Sequence, residues 1–213
     1  MMRRLIYVTL LVLFAGACSD PVPRNIGVYL LLDTSGTYTE QLDKAEQIIN
    51  YTLTRLNGLD SFAVARIDTG SFSERDIIAK VTLDDRPSAA NSQKRLFSET
   101  IHEFLSHVTP ASHTDITGGL LQAVEFLAEK APGRKIIFIF SDLKEDLLAG
   151  YVRDFPIPLE NFEVVALNVT KLSSDNIDPR EYLDRLDMWQ ARVEAEGGSW
   201  RVINDLDRLE RLL

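Results

Sequence analysis

Two hydrophobic periods alternate along the chain. Residues 25–33 (NIGVYLLLD) form a nearly unbroken apolar run that closes on an acid, the pattern of a strand buried on both faces. Residues 40–57 switch to the helical period, with Leu42, Ala45, Ile48, Ile49, Leu53 and Leu56 on one face and Gly58 as the stop. Residues 61–68 and 77–83 read as two further strands. The segment between them is too short for a helical crossover, which predicts an antiparallel pair. Helices are predicted over residues 89–108 and 115–131, the second stopped by Pro132 and Gly133. The most apolar strand, residues 135–141 (KIIFIFS), runs into Asp142. Lys144, Glu145 and Asp146 after it read as a solvated helix start. Residues 163–169 and 199–203 are the last two strands, a helix over 179–196 lies between them, and a terminal helix spans 205–213.

Strands alternating with helices predict an α/β fold: a doubly wound, mostly parallel six-stranded sheet with helices on both faces. The most economical order is 3-2-1-4-5-6, with the third strand an antiparallel edge. The sheet then reverses direction between its first and fourth strands, and ligands of open α/β sheets bind outside the carboxyl ends of strands at such a point. Asp33 ends the first strand and Asp142 follows the fourth. Two acids remote in sequence are thereby brought to one crevice.

Composition narrows the function classes. With 45% hydrophobic and 26% charged residues, the 213-residue chain is neither a disordered tail nor a polytopic membrane protein. Its net charge of −9 makes nucleic acid a poor partner. A single cysteine excludes an intramolecular disulfide and a zinc site built on several thiolates. There is no G-x-S-x-G elbow, no P-loop and no G-x-G-x-x-G. His102, His107 and His113 are read as structural or solvated, and Trp189 and Trp200 as core.

The N-terminus reads as an address. Arg3 and Arg4 precede an apolar stretch that is interrupted only by Thr9 and ends on the small residues Ala15, Gly16 and Ala17. As a helix this stretch is about 20 Å long, short of the about 30 Å of a bilayer core. The sequence Ala15-Gly16-Ala17-Cys18 resembles a bacterial lipobox, with Ala15 where leucine is usual. The resemblance implies a lipoprotein signal peptide over residues 1–17, acylation of Cys18 and a membrane-anchored protein of the cell envelope. Ser19 implies the periplasmic side of the outer membrane in a Gram-negative cell. Residues 18–24, with Pro21 and Pro23, form a short extended tether, and residues 25–213 form the domain.

The chemistry sits in the crevice. Asp33, Ser35 and Thr37 offer a carboxylate and two hydroxyls on a tight loop. Asp142 adds a second carboxylate, and Thr114, just before a helix, adds a third hydroxyl. These are hard oxygen donors suited to Mg²⁺, Mn²⁺ or Ca²⁺. Asp33-x-Ser35-x-Thr37 resembles the DxSxS loop of von Willebrand factor A domains, the first part of their metal-ion-dependent adhesion site. Thr114, followed by Gly118-Gly119-Leu120, resembles the second part, and Asp142 in Phe140-Ser141-Asp142 the third. Thr37 replaces the usual second serine, and Leu143 stands where the family usually has glycine.

The resemblance implies that Ser35, Thr37 and Thr114 contact the cation directly while Asp33 and Asp142 act mostly through water. It implies a non-enzymatic module that binds a protein ligand, whose own Glu or Asp completes the metal's coordination. Two other readings remain: a metal-free scaffold of the same fold, and a Mg²⁺-dependent phosphohydrolase. The second rests on a loose likeness of Asp33-x-x-x-Thr37 to the DxDxT loop of haloacid dehalogenase-like phosphatases. Ser35 stands there in place of the general-acid aspartate and cannot donate a proton usefully near neutral pH.

Overall fold

The structure is a computed structural model that describes residues 23–36, 38–68, 73–172 and 174–205. The signal segment, Cys18, Thr37 and all but Asp205 of the predicted terminal helix lie outside these residues. Among the described residues, no helix is long and apolar enough to cross a membrane.

Six strands form one sheet: β1 (Ile26–Leu32), β2 (Ser61–Arg66), β3 (Ile77–Thr82), β4 (Arg134–Phe140), β5 (Phe162–Leu167) and β6 (Ser199–Ile203). Their order is β3-β2-β1-β4-β5-β6. All neighbours are parallel except β2 and β3, which pair antiparallel with an irregularity between Val64 and Ala65. Among the described residues the α-helices are α1 (Leu42–Arg55), α2 (Pro87–His107), α3 (Ile116–Lys130) and α4 (Arg180–Ala195).

The apolar run of β1 is explained by its place. Val28, Leu30 and Leu32 point into a core with Ile48 and Leu53 of α1 and Phe97 and Ile101 of α2. Tyr29 and Leu31 point into a second core with Leu120 and Leu127 of α3 and Trp189 and Val193 of α4. Every side chain from Val28 to Leu32 is therefore buried. The antiparallel edge strand β3 is only half-buried, as an edge covered on one side should be.

Element ends moved where local chemistry allows. Helix α2 begins at Pro87, two residues ahead of the predicted start, because proline fits the first helical turn, where its missing N–H has no partner to lose. A short 3-10 turn, Thr39–Gln41, leads into α1. Helix α3 ends on Ala131 in the left-handed conformation, directly before Pro132. Trp189 is fully buried, whereas Trp200 is only partly buried against the second core.

The predicted helix start at Lys144, Glu145 and Asp146 is not there. Residues 141–161, which join β4 to β5, contain no helix and no named strand. Asp146 instead makes an isolated antiparallel bridge with Thr114. Gly150 at φ +93° and the later Pro156 and Pro158 interrupt any helix in the segment.

The sheet sets two opposite ends. The chain enters at Asn25, whose side chain donates to the Leu59 carbonyl (3.2 Å) and accepts from the Gly133 N–H (3.3 Å). Strand β1 then runs away from this end, and Asp33 lies beyond its far tip.

Candidate metal centre

Asp33 extends the β1–β4 ladder by one bond, its N–H donating to the Phe140 carbonyl at 3.0 Å. Its side chain is buried and both oxygens are engaged. Oδ1 accepts from the Ser35 N–H (2.8 Å) and lies 3.5 Å from the Thr114 hydroxyl. Oδ2 accepts from the Ser141 hydroxyl at 2.6 Å. One carboxylate thus ties together the loops after β1, before α3 and after β4.

Backbone bonds lace the same three segments. The Ala111 N–H donates to the Thr34 carbonyl (2.9 Å), and the Gly36 N–H donates to the Ala111 carbonyl (3.3 Å). Thr114 and Asp146 exchange two bonds of 2.9 Å. Asp142 is buried, and its Oδ1 accepts from the Lys144 N–H at 2.9 Å. A cleft of about 280 Å³ opens over Ser35, Gly36, Thr114, Asp142, Lys144 and Asp146. Four of the five sequence-predicted metal residues therefore meet at one place, and the fifth, Thr37, lies outside the described residues.

The donor set fits a hard cation. Among the described residues, no three His, Cys, Asp or Glu side chains gather to hold a metal, so a site at this crevice must draw on hydroxyls. Hydroxyls in front of buried carboxylates are the oxygen chemistry that Mg²⁺ and Mn²⁺ take, whereas softer metals want nitrogen or sulfur. Asp33, with both oxygens accepting hydrogen bonds, suits a carboxylate that orders hydroxyls and solvent rather than one that grips the ion itself.

Several supporting residues escaped the sequence reading. Ser141 donates to Asp33 and accepts from the Leu143 N–H (3.0 Å). Its only sequence signal is its place before Asp142. Tyr38 is fully buried beside Phe140, with ring centroids 5.0 Å apart, and its hydroxyl donates to the Asn168 carbonyl at 2.5 Å. Burial pushes that phenol well above the ordinary tyrosine range, and the charges of Asp33 and Asp142 add to the effect. Tyr38 is therefore a neutral support near the two acids.

Leu143, standing where the resembled family usually has glycine, adopts a left-handed φ of 66°. Its side chain is buried, and its carbonyl accepts from the Trp189 indole N–H at 3.0 Å. Arg185 donates to the Asp142 carbonyl (3.3 Å) while its fork holds the buried carboxylate of Asp175 (2.7 and 2.9 Å).

Thr114 is set by the start of α3. Asp115 caps that helix by accepting from the Gly118 N–H at 2.7 Å. A Cβ on Gly118 would sit 2.5 Å from Asp115 Oδ2, so only glycine leaves room for this carboxylate. A Cβ on Gly119 would sit 2.6 Å from Ile67, so the second glycine lets α3 lie close to the sheet. Arg153 grips Asp115 from outside, at 2.7 and 3.1 Å. His113 is half-buried, with Nδ1 3.9 Å from Asp146 Oδ2.

No protein-family model matches the sequence, and no curated protein does either. Among solved structures, the chain is similar to a von Willebrand factor type A protein from Catenulispora acidiphila. That likeness has a TM-score of 0.50 at 15% identity, over 89% of this chain and 41% of the other. The pilus adhesin SpaC from Lactobacillus rhamnosus GG, in its open conformation, is similar with a TM-score of 0.54 at 12% identity, over 91% of this chain and 29% of the adhesin. The chain thus spans less than half the length of either protein. At such identities the likeness is one of architecture, and in architecture the chain resembles a von Willebrand factor type A domain.

Proposed function

We propose that this protein is a non-enzymatic, divalent-metal-dependent protein-binding module, anchored in a bacterial envelope membrane by lipid on Cys18. The observation that carries the metal reading is the junction at Asp33. Its buried carboxylate accepts from Ser35, Thr114 and Ser141 beneath a cleft that Asp142 also lines. Ser35, Thr37 and Thr114 would hold Mg²⁺ or Mn²⁺ through their hydroxyls, with Asp33 and Asp142 behind them through water. The bound cation would supply a local positive charge on an acidic surface, open to a partner's Glu or Asp. The SpaC adhesin, of similar fold, makes protein binding a natural use of this architecture.

Residue 35 favours this reading over phosphate hydrolysis. A phosphatase of that kind needs a general acid two residues after its nucleophilic aspartate, and Ser35 stands there with no proton to give near neutral pH.

Thermal melting of the full chain tests the metal reading. A ligand that binds only the folded state adds about 2.7 kcal/mol at a hundredfold excess over Kd. Millimolar Mn²⁺ or Mg²⁺ should raise Tm over that in EDTA, and Thr114→Ala should remove the rise while leaving the EDTA curve nearly unchanged. Identical curves with metal and with EDTA would sink the metal site and leave the metal-free scaffold. Cys18→Ser tests the anchor: it should yield a soluble protein or an uncleaved precursor, and a variant still lipid-labelled and membrane-bound would refute that part.

A further inference from the structure

Parallel neighbours are usually joined through a helix, yet residues 141–161, between β4 and β5, contain none. Segments beyond about 12–15 residues without secondary structure are uncommon and usually functional. This one packs against the first turn of α3, where Glu145 accepts from the Thr117 N–H at 2.7 Å. It also meets the end of α4, where the Leu159 N–H donates to the Glu196 carbonyl at 3.2 Å. Between these contacts it lines a cleft of about 710 Å³ together with Arg192 and Glu196. That cleft shares no lining residue with the one over Ser35 and Asp142.

The apolar side chains of this second cleft face solvent, although the backbone that carries them is fixed. Arg153 forks the buried carboxylate of Asp115 at 2.7 and 3.1 Å. Its carbonyl accepts from Arg192 at 3.1 Å, and its guanidinium lies 5.3 Å from the centre of the Tyr151 ring. Tyr151 is nevertheless 45% exposed, Val152 72% and Phe155 38%. Ile157 and Leu159, later in the same crossover, are fully buried. The segment can bury apolar side chains, and here it holds them outward. Neighbouring apolar and aromatic side chains kept exposed mark a contact surface, and a surface already held in place loses little freedom on binding.

Charge selects what covers it. Both arginines of the cleft are already engaged. Arg153 is paired with Asp115, and Arg192 donates to the Thr117 hydroxyl at 2.8 Å and stands 4.0 Å from Glu145. Among the described residues, no ion pair holds Asp154 or Glu196, which line the same cleft. The apolar patch therefore lies beside two uncompensated carboxylates, on a chain of net charge −9.

We propose that this flank is a second, metal-independent docking surface for a basic segment of another protein. The segment would set a large apolar side chain on Tyr151, Val152 and Phe155, and a neighbouring lysine or arginine against Asp154 and Glu196. The same charges repel acidic peptides and anionic headgroups. The surface goes beyond the crevice and does not depend on it, since neither Asp33 nor any hydroxyl of the metal centre takes part.

The test uses the full-length protein in EDTA and three synthetic nonapeptides: a central Phe flanked by lysines, a central Ser flanked by lysines, and a central Phe flanked by glutamates. Affinities are read by fluorescence polarisation. The Lys–Phe peptide should bind at least about tenfold tighter than the Lys–Ser peptide, the equivalent of one well-buried side chain. It should also bind at least about tenfold tighter than the Glu–Phe peptide, and weaken at least about fivefold from about 50 to about 500 mM NaCl as exposed charges are screened. Val152→Ser/Phe155→Ser should abolish the preference for Phe over Ser. Asp154→Asn/Glu196→Gln should abolish the preference for Lys over Glu. Both variants should melt as cooperatively as the wild type. Equal binding of the three peptides overturns the surface, as does failure of the Lys–Phe peptide to bind or survival of both preferences in the variants. Binding of the Lys–Phe peptide only when Mn²⁺ replaces EDTA also overturns it. Concentration-dependent dimerisation that Val152→Ser/Phe155→Ser removes would assign the face to a second copy of this chain and refute the proposal. The metal reading stands or falls separately, on the Mn²⁺-induced rise in Tm.

Discussion

Leu143 holds two opposed demands at one position. A left-handed φ of 66° costs a non-glycine residue about 1–2 kcal/mol. Burying the leucine side chain and leaving no cavity is worth about 2–5 kcal/mol. Burial wins, so Leu143→Gly should lower stability by about 1–3 kcal/mol despite relieving the backbone; urea unfolding measures it. A gain in stability would mean that the strain dominates. Glu163 is a second residue with a readable sign. Arg134 holds it through a fork at 2.5 and 2.9 Å, and Arg201 adds a contact at 2.6 Å. The Arg134 hydrogen bonds keep its carboxyl below the ordinary value of 4.5. The folded state therefore favours the ionised form. That stability is present above pH 4.5 and is lost as pH falls through the depressed value. Glu163→Gln should cost about 1 kcal/mol at pH 7, since the pair is partly exposed, and the gap to wild type should close in unfolding curves taken toward pH 3. A gap that holds constant with pH would refute the linkage.

At the scale of elements, α3 and the crossover after β4 act as one unit. Gly118 is the control point, because its missing Cβ makes room for the Asp115 carboxylate that Arg153 grips. Gly118→Ala adds helix propensity of up to about 1 kcal/mol. It also displaces a helix cap worth about 1 kcal/mol and disturbs a buried ion pair whose disruption costs about 3–5 kcal/mol. The variant should be less stable than wild type in thermal melts and should lose part of the Mn²⁺ response, because Thr114 precedes the displaced residue. A more stable variant would show that the cap is dispensable. Periodicity made the helices legible from sequence, and the buried runs of β1 and β4 gave the sheet its centre. The crossover was misread because the charged run Lys144-Glu145-Asp146 imitates a first helical turn. What decides its conformation is the backbone exchange of Asp146 with Thr114, a tertiary contact with no local signature. Ser141, Tyr38 and Arg153 were missed for the same reason, since their partners Asp33, Asn168 and Asp115 lie far away in sequence.

For the whole molecule, strand order followed from the sequence alone, and with it the meeting of Asp33, Thr114 and Asp142, because topology places strand ends before any side chain is considered. On the proposed metal-dependent reading, binding of an acidic partner should depend on the ion more than on long-range charge. Affinity for an envelope partner captured in Mn²⁺ should change by less than about threefold between 50 and 500 mM NaCl at fixed Mn²⁺, where screening lengths are only a few ångströms to about 14 Å, and should vanish in EDTA. A steep salt dependence in place of metal dependence would point to a different surface. The direction of β1 has its own consequence. The chain enters the sheet at Asn25 and the crevice lies past the other end of the 7-residue strand, about 20 Å farther along at the usual rise. A tether from Cys18 to residue 24, drawn straight, adds at most about 25 Å. A lipid-held copy would then present its crevice as a probe on a stalk, up to about 45 Å from the bilayer and outside the headgroup layer's electrostatic reach of about 8 Å. On the anchored reading, a reach of that order would let the crevice meet partners in the surrounding aqueous space or on an opposing surface, and not only those lying flat on the same membrane.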